Sequence, residues 1–486
     1  VTVTATSSRR RLGVVVSAVV GACGVAMVPA VVTGTIYAEW ADTWALAAGA
    51  TLAGAVGLAG RHYAGTPGRF TTREGFAAVA LSWLALIGFG AVPYLITGAV
   101  GSPIDSLFET TAGFTTTGAS VLPDPGLLSH AMLIWRATSQ WIGGMGIIVL
   151  SIAILPMLGA GGVELARAEA PGPEPDRVTP RFRDTAKRLW WIYVGMTIVE
   201  FVLLVPGDMG VFQAAAHALT TMPTGGFGTE AGSLGGFSPY TQWVVIVFML
   251  TAAISFALHF RALRRPRAYL ESREFLGFFS IIGIAVLVVL LGTWSLGSGV
   301  EARVRDAAFT AVTMVTGTGY ATVNWAAWAP GLLAGLLVMM FLGGMAGSTA
   351  SGIKTYRLGI LYKTIGSSLK RVFYPRVVSV QRFGARSVEP RIVQGVVAFF
   401  VLYVGFFVAG AVVLGFMEPS LDLVSVGSAS ASAISNVGPA LGAVGPASSY
   451  ATLGADSKAV LSFLMLVGRL EIFPVVILLT HRWWRR

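Results

Sequence analysis

Thr115-Thr116-Thr117-Gly118-Ala119 decides how the whole chain reads. It follows an apolar segment, 104–114, of about three helical turns, which is too short to cross a bilayer. A long apolar run, 130–158, comes after it. The same order recurs three more times, with short segments at 211–222, 305–316 and 422–435. The clusters behind them read Thr224-Gly225-Gly226-Phe227, Gly317-Thr318-Gly319-Tyr320-Ala321 and Asn436-Val437-Gly438-Pro439. Aligned, they put a glycine in register: Gly118, Gly226, Gly319 and Gly438. A short helix that enters and leaves on one side of a membrane is a re-entrant pore helix. The irregular backbone behind it is tolerated at that depth only where it lines a cavity. A dehydrated cation needs carbonyl oxygens in place of its water shell. Turning successive carbonyls toward one axis requires backbone angles that glycine reaches cheaply. The candidate cation ligands are therefore the loops Thr116, Thr117, Gly118; Thr224, Gly225, Gly226; Gly317, Thr318, Gly319; and Asn436, Val437, Gly438.

The composition agrees. Of 486 residues, 55% are hydrophobic and only 12% charged, about half the ~25% charge of a soluble protein. Mean hydropathy is +0.73. Ten stretches are candidate spans: 12–36, 43–60, 75–98, 130–158, 185–206, 240–262, 274–297, 328–366, 391–416 and 457–481. With the N-terminus inside, alternate loops collect 27 of the 34 Lys and Arg residues, which is the cytoplasmic bias expected of topogenic charge. The opposite loops are acidic, with Glu39, Asp42, Asp105, Asp124, Asp208, Glu230, Glu301, Asp306, Glu418, Asp422 and Asp456, and such a face attracts cations. The formal charge of +11 is then a property of inner loops. No basic domain outside the bilayer exists for nucleic acid, so no nucleic-acid partner is expected. The expected fold is an all-α polytopic membrane protein, with two N-terminal helices and four helix–pore-loop–helix repeats around a pseudo-fourfold pore. The divisions are 1–66 for the extra helices, then 67–170, 171–266, 267–375 and 376–486 for the repeats.

Other chemistries find no residues. The single cysteine, Cys23, excludes an internal disulfide and Cys-based metal sites. The five histidines, His62, His130, His217, His259 and His481, have no metal-ligand spacing. No nucleophile–base constellation suggests an enzyme, and no cofactor is expected on this chain. The run after Arg9, Arg10 and Arg11 imitates a signal peptide but is long enough to span, so it reads as a retained helix. Gly347 to Thr355 nearly spells a phosphate loop, but Ile353 separates Gly352 from Lys354 and no strand precedes it.

The chain resembles the Trk/Ktr/HKT superfamily of potassium transporters, most closely the Trk (TrkH-type) membrane subunit. Several stretches carry the resemblance: Phe108 through Ala119; Trp135-Arg136 with Gln140-Trp141-Ile142-Gly143-Gly144-Met145-Gly146; Gly343-Gly344-Met345-Ala346-Gly347-Ser348-Thr349-Ala350 on to Lys354; and Gly468-Arg469-Leu470-Glu471. Pro223 before the second filter and Ser351 depart from the pattern. The resemblance implies uptake of potassium as the transported substrate, a homodimer in a bacterial-type inner (plasma) membrane with both termini cytoplasmic, and a cytosolic ring of nucleotide-binding regulatory subunits as partner. The alternative is an ion-coupled secondary transporter moving potassium with sodium or protons. Such a protein predicts one or two broken helices and an inverted repeat.

The run 328–366 is too long for one span. Gly343, Gly344, Gly347, Ser348, Thr349, Ser351 and Gly352 fall within ten residues of it, and so many weak helix formers predict unwinding. The family resemblance makes this an intramembrane gating loop, 343–354, below the filter. Arg469 lies in an apolar segment, where a charge costs about 2.5–3.5 kcal/mol. Two readings compete for it: a local pair with Glu471, or a fixed cation facing the pore. The second assigns the gate to Gly343, Gly344, Gly347, Ser348, Thr349, Gly352, Lys354 and Arg469. Arg136 and Glu109 are expected to pair as a support for the filter. Glu200 has no partner visible in the sequence.

Overall fold

The computed structural model describes residues 5–64, 72–153, 180–295, 299–374, 382–383 and 386–479. Among them the chain is helical, apart from a pair of two-residue strands, Arg382–Phe383 and Arg386–Ser387. Helices α1 (Ala5–Ala26) and α2 (Val28–Ile36) form the first run. It is interrupted at Met27, where Pro29 enters the first turn of α2 without an amide to donate. Helix α3 (Trp40–Ala64) packs back along α1. Gly21 and Gly57 meet there at a distance a side chain would fill, the close approach that small residues permit between membrane helices.

Repeat 1 comprises α4 (Thr72–Thr97), pore helix α5 (Pro103–Phe114) and α6 (His130–Ala153). Repeat 2 comprises α7 (Pro180–Leu204), pore helix α8 (Val211–Thr221), and α9 (Pro239–Ala252) with α10 (Phe256–Ala262). After the short α11 (Ala268–Glu271), repeat 3 has α12 (Arg273–Gly292), pore helix α13 (Val300–Thr316), and α14 (Pro330–Phe341) with α15 (Thr355–Phe373). Repeat 4 has α16 (Pro390–Met417), pore helix α17 (Leu423–Ser435), and α18 (Ala455–Arg469) with α19 (Phe473–Leu479). Two of the four pore helices begin with side-chain caps. Ser102 and Asp105 form a reciprocal capping box on α5, and Asp422 accepts from the Ser425 amide on α17.

Two expectations need correction. First, the ten runs are not ten straight spans. Among the described residues, five helices are long and apolar enough to cross a membrane, and α9 with α10 would make a sixth. That pair is bent by 99° at Ala253–Ser255. The run 457–481 is also broken: Glu471 and Ile472 adopt left-handed backbone, with φ of 56° and 67°, between α18 and α19. With the break after Phe341, the second helices of repeats 2, 3 and 4 are all interrupted. Second, the third pore helix starts at Val300, five residues earlier than the apolar pattern. Its first turns are polar and held by the Glu301–Arg305 pair at 2.6 Å.

The divisions at 66/67, 170/171 and 375/376 lie outside the described residues, whereas 266/267 falls between α10 and α11. The side chains of Arg9, Arg69, Arg73, Arg167, Arg177, Arg181, Arg183, Arg376, Arg382, Arg386, Arg482, Arg485 and Arg486 also lie outside them, as does His481.

Candidate ion pathway and its gate

The four loops share one hydrogen-bond scheme. The amides of Thr117, Gly225, Thr318 and Val437 donate to the carbonyls of Ala112, Thr220, Thr313 and Ser432, at 2.9, 2.9, 3.0 and 3.0 Å. One residue earlier, Thr116, Thr224, Gly317 and Asn436 donate to Gly113, Thr221, Met314 and Ala433. These last donors are all left-handed, with φ of 52°, 55°, 69° and 53°. Two residues on, Gly118, Gly226, Gly319 and Gly438 have φ of 78°, 75°, 84° and 104°. Each loop therefore turns its backbone over twice in three residues. Glycine takes the second turn everywhere. Three of the first turns are taken by threonine or asparagine, a strained state that persists only where the surroundings fix it.

The loops touch in chain order. A Cβ on Gly118 would strike the carbonyl oxygen of Gly225. One on Gly226 would strike that of Thr318, one on Gly319 that of Val437, and one on Gly438 that of Thr117. The last contact returns to the first loop and closes a ring. Among the described residues, no hydrogen bond ends on the carbonyls of Thr116, Thr117, Gly118, Thr224, Gly226, Gly317, Thr318, Gly319, Asn436 or Val437. A buried carbonyl without a donor is rare, and here such carbonyls are gathered at one ring. The two remaining candidates are engaged. Gly225 accepts from Gln140 Nε2 at 2.7 Å, and Gly438 accepts from Ser432 and from the Tyr450 hydroxyl at 2.8 Å.

Behind the first loop, Arg136 and Glu109 form a buried ion pair at 2.8 Å. The guanidinium also reaches Ser120 and the carbonyl of Gly228, and it lies 4.0 Å from the centre of the Phe227 ring. The pair thus ties repeat 1 to the second loop. Glu109 further accepts from Ser120 and the Val121 amide. Gln140, Tyr320 and Tyr450 also hold the ring, and sequence reading gave them no role. The Tyr320 hydroxyl meets Thr220 at 2.5 Å across the seam of loops two and three. In the sequence, Gln140 stands out as a polar residue inside an apolar helix and as part of a stretch that carries the family resemblance, and neither says what it holds.

The acids of the loops expected to face outward are mostly committed to structure. Glu39 accepts from the amides of His130 and Ala131 at the start of α6. Asp105 pairs with Lys458 at 2.7 Å, Asp208 caps α9 through Ser238 and Thr241, and Glu418 accepts from Gly454. Helices that begin at this face leave unpaired amides there, and carboxylates satisfy them. Hydrogen bonds from the Ser425 side chain and amide hold the Asp422 carboxyl below the ordinary range. Partial burial pushes Asp208 up, and bonds from Thr241 and Ser238 outweigh it, leaving the group lowered. Their negative charge therefore persists at neutral pH.

Below the ring, residues 342–354 leave α14 and return to α15 as a closed tongue. Gly343 N donates to Ile353, Ile353 N to Phe341 and Thr355 N to Gly344. The tip docks in the break between α9 and α10: Met345 N donates to Ala253, and Phe256 N to Gly347. The Thr349 hydroxyl reaches the carbonyls of Met222 and Ala252, both at 3.0 Å. Met222 lies two residues before the second loop's first turn, so the tongue reaches the underside of the ring. Gly347 and Gly352 make the tongue's two left-handed turns. Lys354 Nζ donates to Ser348 and Ala350. Arg469 donates to Thr349 O and Ser351 Oγ at 2.9 Å, and to Gly143 O at 3.0 Å. The local Arg469–Glu471 pair does not form, because Glu471 pairs instead with Arg357 from α15. That leaves Arg469, 1% exposed, as the clasp between the tongue and α6. Glu200 is fully buried.

Four same-sense pore loops from one chain, closed into a ring with the tongue 342–354 packed against it, define a class of single-chain, four-loop membrane pore proteins. The chain belongs to the TrkH family of cation transport proteins, whose family model matches residues 51–483. It is 38% identical over 423 residues to the Trk system potassium uptake protein TrkH of Halomonas elongata, covering 85% of this chain and 86% of that one. It is 37% identical over 425 residues to the Escherichia coli K12 protein of the same name, covering 86% and 87%. The crystal structure of the potassium transporter TrkH from Vibrio parahaemolyticus superposes with a TM-score of 0.90 at 32% identity, covering 98% of this chain and 99% of that one.

Proposed function

We propose that this chain takes up potassium through the ring formed by loops 116–118, 224–226, 317–319 and 436–438. The observation that carries the reading is the closed ring of glycine contacts with donor-free carbonyls around it. Those oxygens can replace the water shell of a cation without first breaking a protein hydrogen bond. The acidic outer face raises the local cation concentration. Passage below the ring is controlled by the tongue 343–354, held shut by Lys354 and Arg469 through its carbonyls. Glu109 and Arg136 keep the first two loops in register. The three interrupted second helices exceed what the coupled-transporter alternative predicts, and the ring built from same-sense loops favours the pore.

The basic loops orient both termini to the cytoplasm of a bacterial-type inner membrane. The relatives' name, a Trk system protein, supports a multi-subunit assembly. On that ground the working form is a homodimer with a cytosolic nucleotide-binding ring as regulator. Potassium is the cargo, with no resident cofactor and no enzymatic step. Cation flux into liposomes tests the reading. Potassium and rubidium uptake should exceed sodium uptake, and equal uptake of all three, or none under any condition, would sink it.

A further inference from the structure

In loops one and three, the residues flanking the first left-handed turn are both threonine, and their hydroxyls bond to each other. Thr115 meets Thr117 at 2.7 Å, and Thr316 meets Thr318 at 2.7 Å. Such a bond pins the backbone on either side of the turn. In loop four the flanking residues are Ser435 and Val437. There, Ser435 bonds Tyr403 at 2.7 Å, and Asn436 reaches across to Thr117 Oγ1 at 2.9 Å and to Met465 O at 2.8 Å. Loop two has neither device. Its flanking residues are Pro223 and Gly225, which offer no hydroxyl.

Gln140, from α6 of the preceding repeat, stands in that gap. A Cβ on Gly225 would collide with its carboxamide carbon and both amide heteroatoms. Its Nε2 donates to Gly225 O at 2.7 Å, and its Oε1 accepts from Phe227 N at 3.2 Å. Only this orientation of the amide satisfies both partners. The two bonds bracket Gly226, the filter glycine with φ of 75°. The side chain is fully buried, so neither bond competes with water.

We infer that Gln140 is the positioning residue that sets cation discrimination at the second loop, doing from outside what the threonine pair does within loops one and three. This rests on the ring being the cation filter. A carboxylate at position 140 could still accept from Phe227 but could not donate to Gly225, and would face its carbonyl oxygen. Protonating it would return the donor.

The test is the potassium-to-sodium flux ratio of wild type, Gln140→Leu and Gln140→Glu in the same liposomes, across pH 5 to 8. Rubidium uptake serves as the check that each preparation conducts. Gln140→Leu should lower the ratio about tenfold, the equivalent of about 1.4 kcal/mol. Gln140→Glu should lower it at high pH and regain it on acidification, a recovery that a space-filling role would not produce. A wild-type ratio retained in Gln140→Leu, or a ratio in Gln140→Glu that does not move with pH, overturns the inference. If Gln140→Leu does not yield protein, the isosteric Gln140→Glu profile decides alone. A wild type that fails to discriminate would instead defeat the filter reading itself.

Discussion

At the scale of single residues, the ring glycines are constrained twice, by left-handed backbone and by a neighbouring carbonyl where a side chain would go. Gly118→Ser should therefore displace the Gly225 carbonyl and reduce potassium-over-sodium discrimination about tenfold or more, roughly 1.4 kcal/mol or above. Relative flux of the two ions in vesicles measures it. The Glu109–Arg136 pair makes a different prediction. Removing one partner from a buried ion pair leaves an uncompensated charge and costs about 3–5 kcal/mol, whereas replacing both by apolar residues costs far less. Arg136→Leu and Glu109→Leu should each lower the unfolding temperature more than the double variant does. Additive losses in a thermal-melt cycle would mean that the two side chains act separately. The four glycines and this pair were legible in the sequence because their chemistry is local: each sits at a fixed offset from a recognisable pore helix. Gln140 was not, since its partner loop is 85 residues away and nothing in sequence says which helix faces Gly225.

At the scale of elements, the tongue 342–354 is the proposed gate. Its hydrogen bonds run to α6, α9 and α10 through Arg469, Thr349, Met345 and Gly347, so releasing one clasp should free it. Arg469→Ala removes donors from Thr349, Ser351 and Gly143 together, and it should raise cation flux through the chain alone in vesicles. Unchanged flux would remove Arg469 from the gate. Gly344→Val has the same expected direction for a steric reason, because a side chain there meets the Ala253 carbonyl and the Ala350 methyl. The unwinding of 342–354 was legible from its cluster of small residues. The breaks at Ala253–Ser255 and Leu470–Ile472 were not, because the residues there are ordinary helix formers for the most part. Glu471 takes a left-handed turn while bonding Arg357 in α15, so distant contacts override local preference. The same contact explains why the nearby Arg469 was free to reach the tongue.

At the scale of the whole molecule, four unequal repeats build one nearly symmetric ring. The hydrogen-bond scheme of the loops is common to all four, while the devices that brace them differ: threonine pairs, an asparagine, a glutamine borrowed from the preceding repeat. Strict sequence identity between repeats is unnecessary as long as each loop's backbone is held in the same two turns. The acidic loops have a comparable double use in the proposed pathway. Their carboxylates cap helices that start there, and the same charge would attract cations. The charge asymmetry was plain in the sequence, but the capping was visible only once helix starts were known.

The central claim is that a partly dehydrated cation sits inside the ring. Anomalous scattering from crystals grown in rubidium in place of potassium measures this directly. A peak is expected on the ring axis, enclosed by carbonyls of loops 116–118, 224–226, 317–319 and 436–438, and it should be lost in Gly118→Ser. Ordered protein with no peak within the ring, or a peak bound only elsewhere, would contradict it.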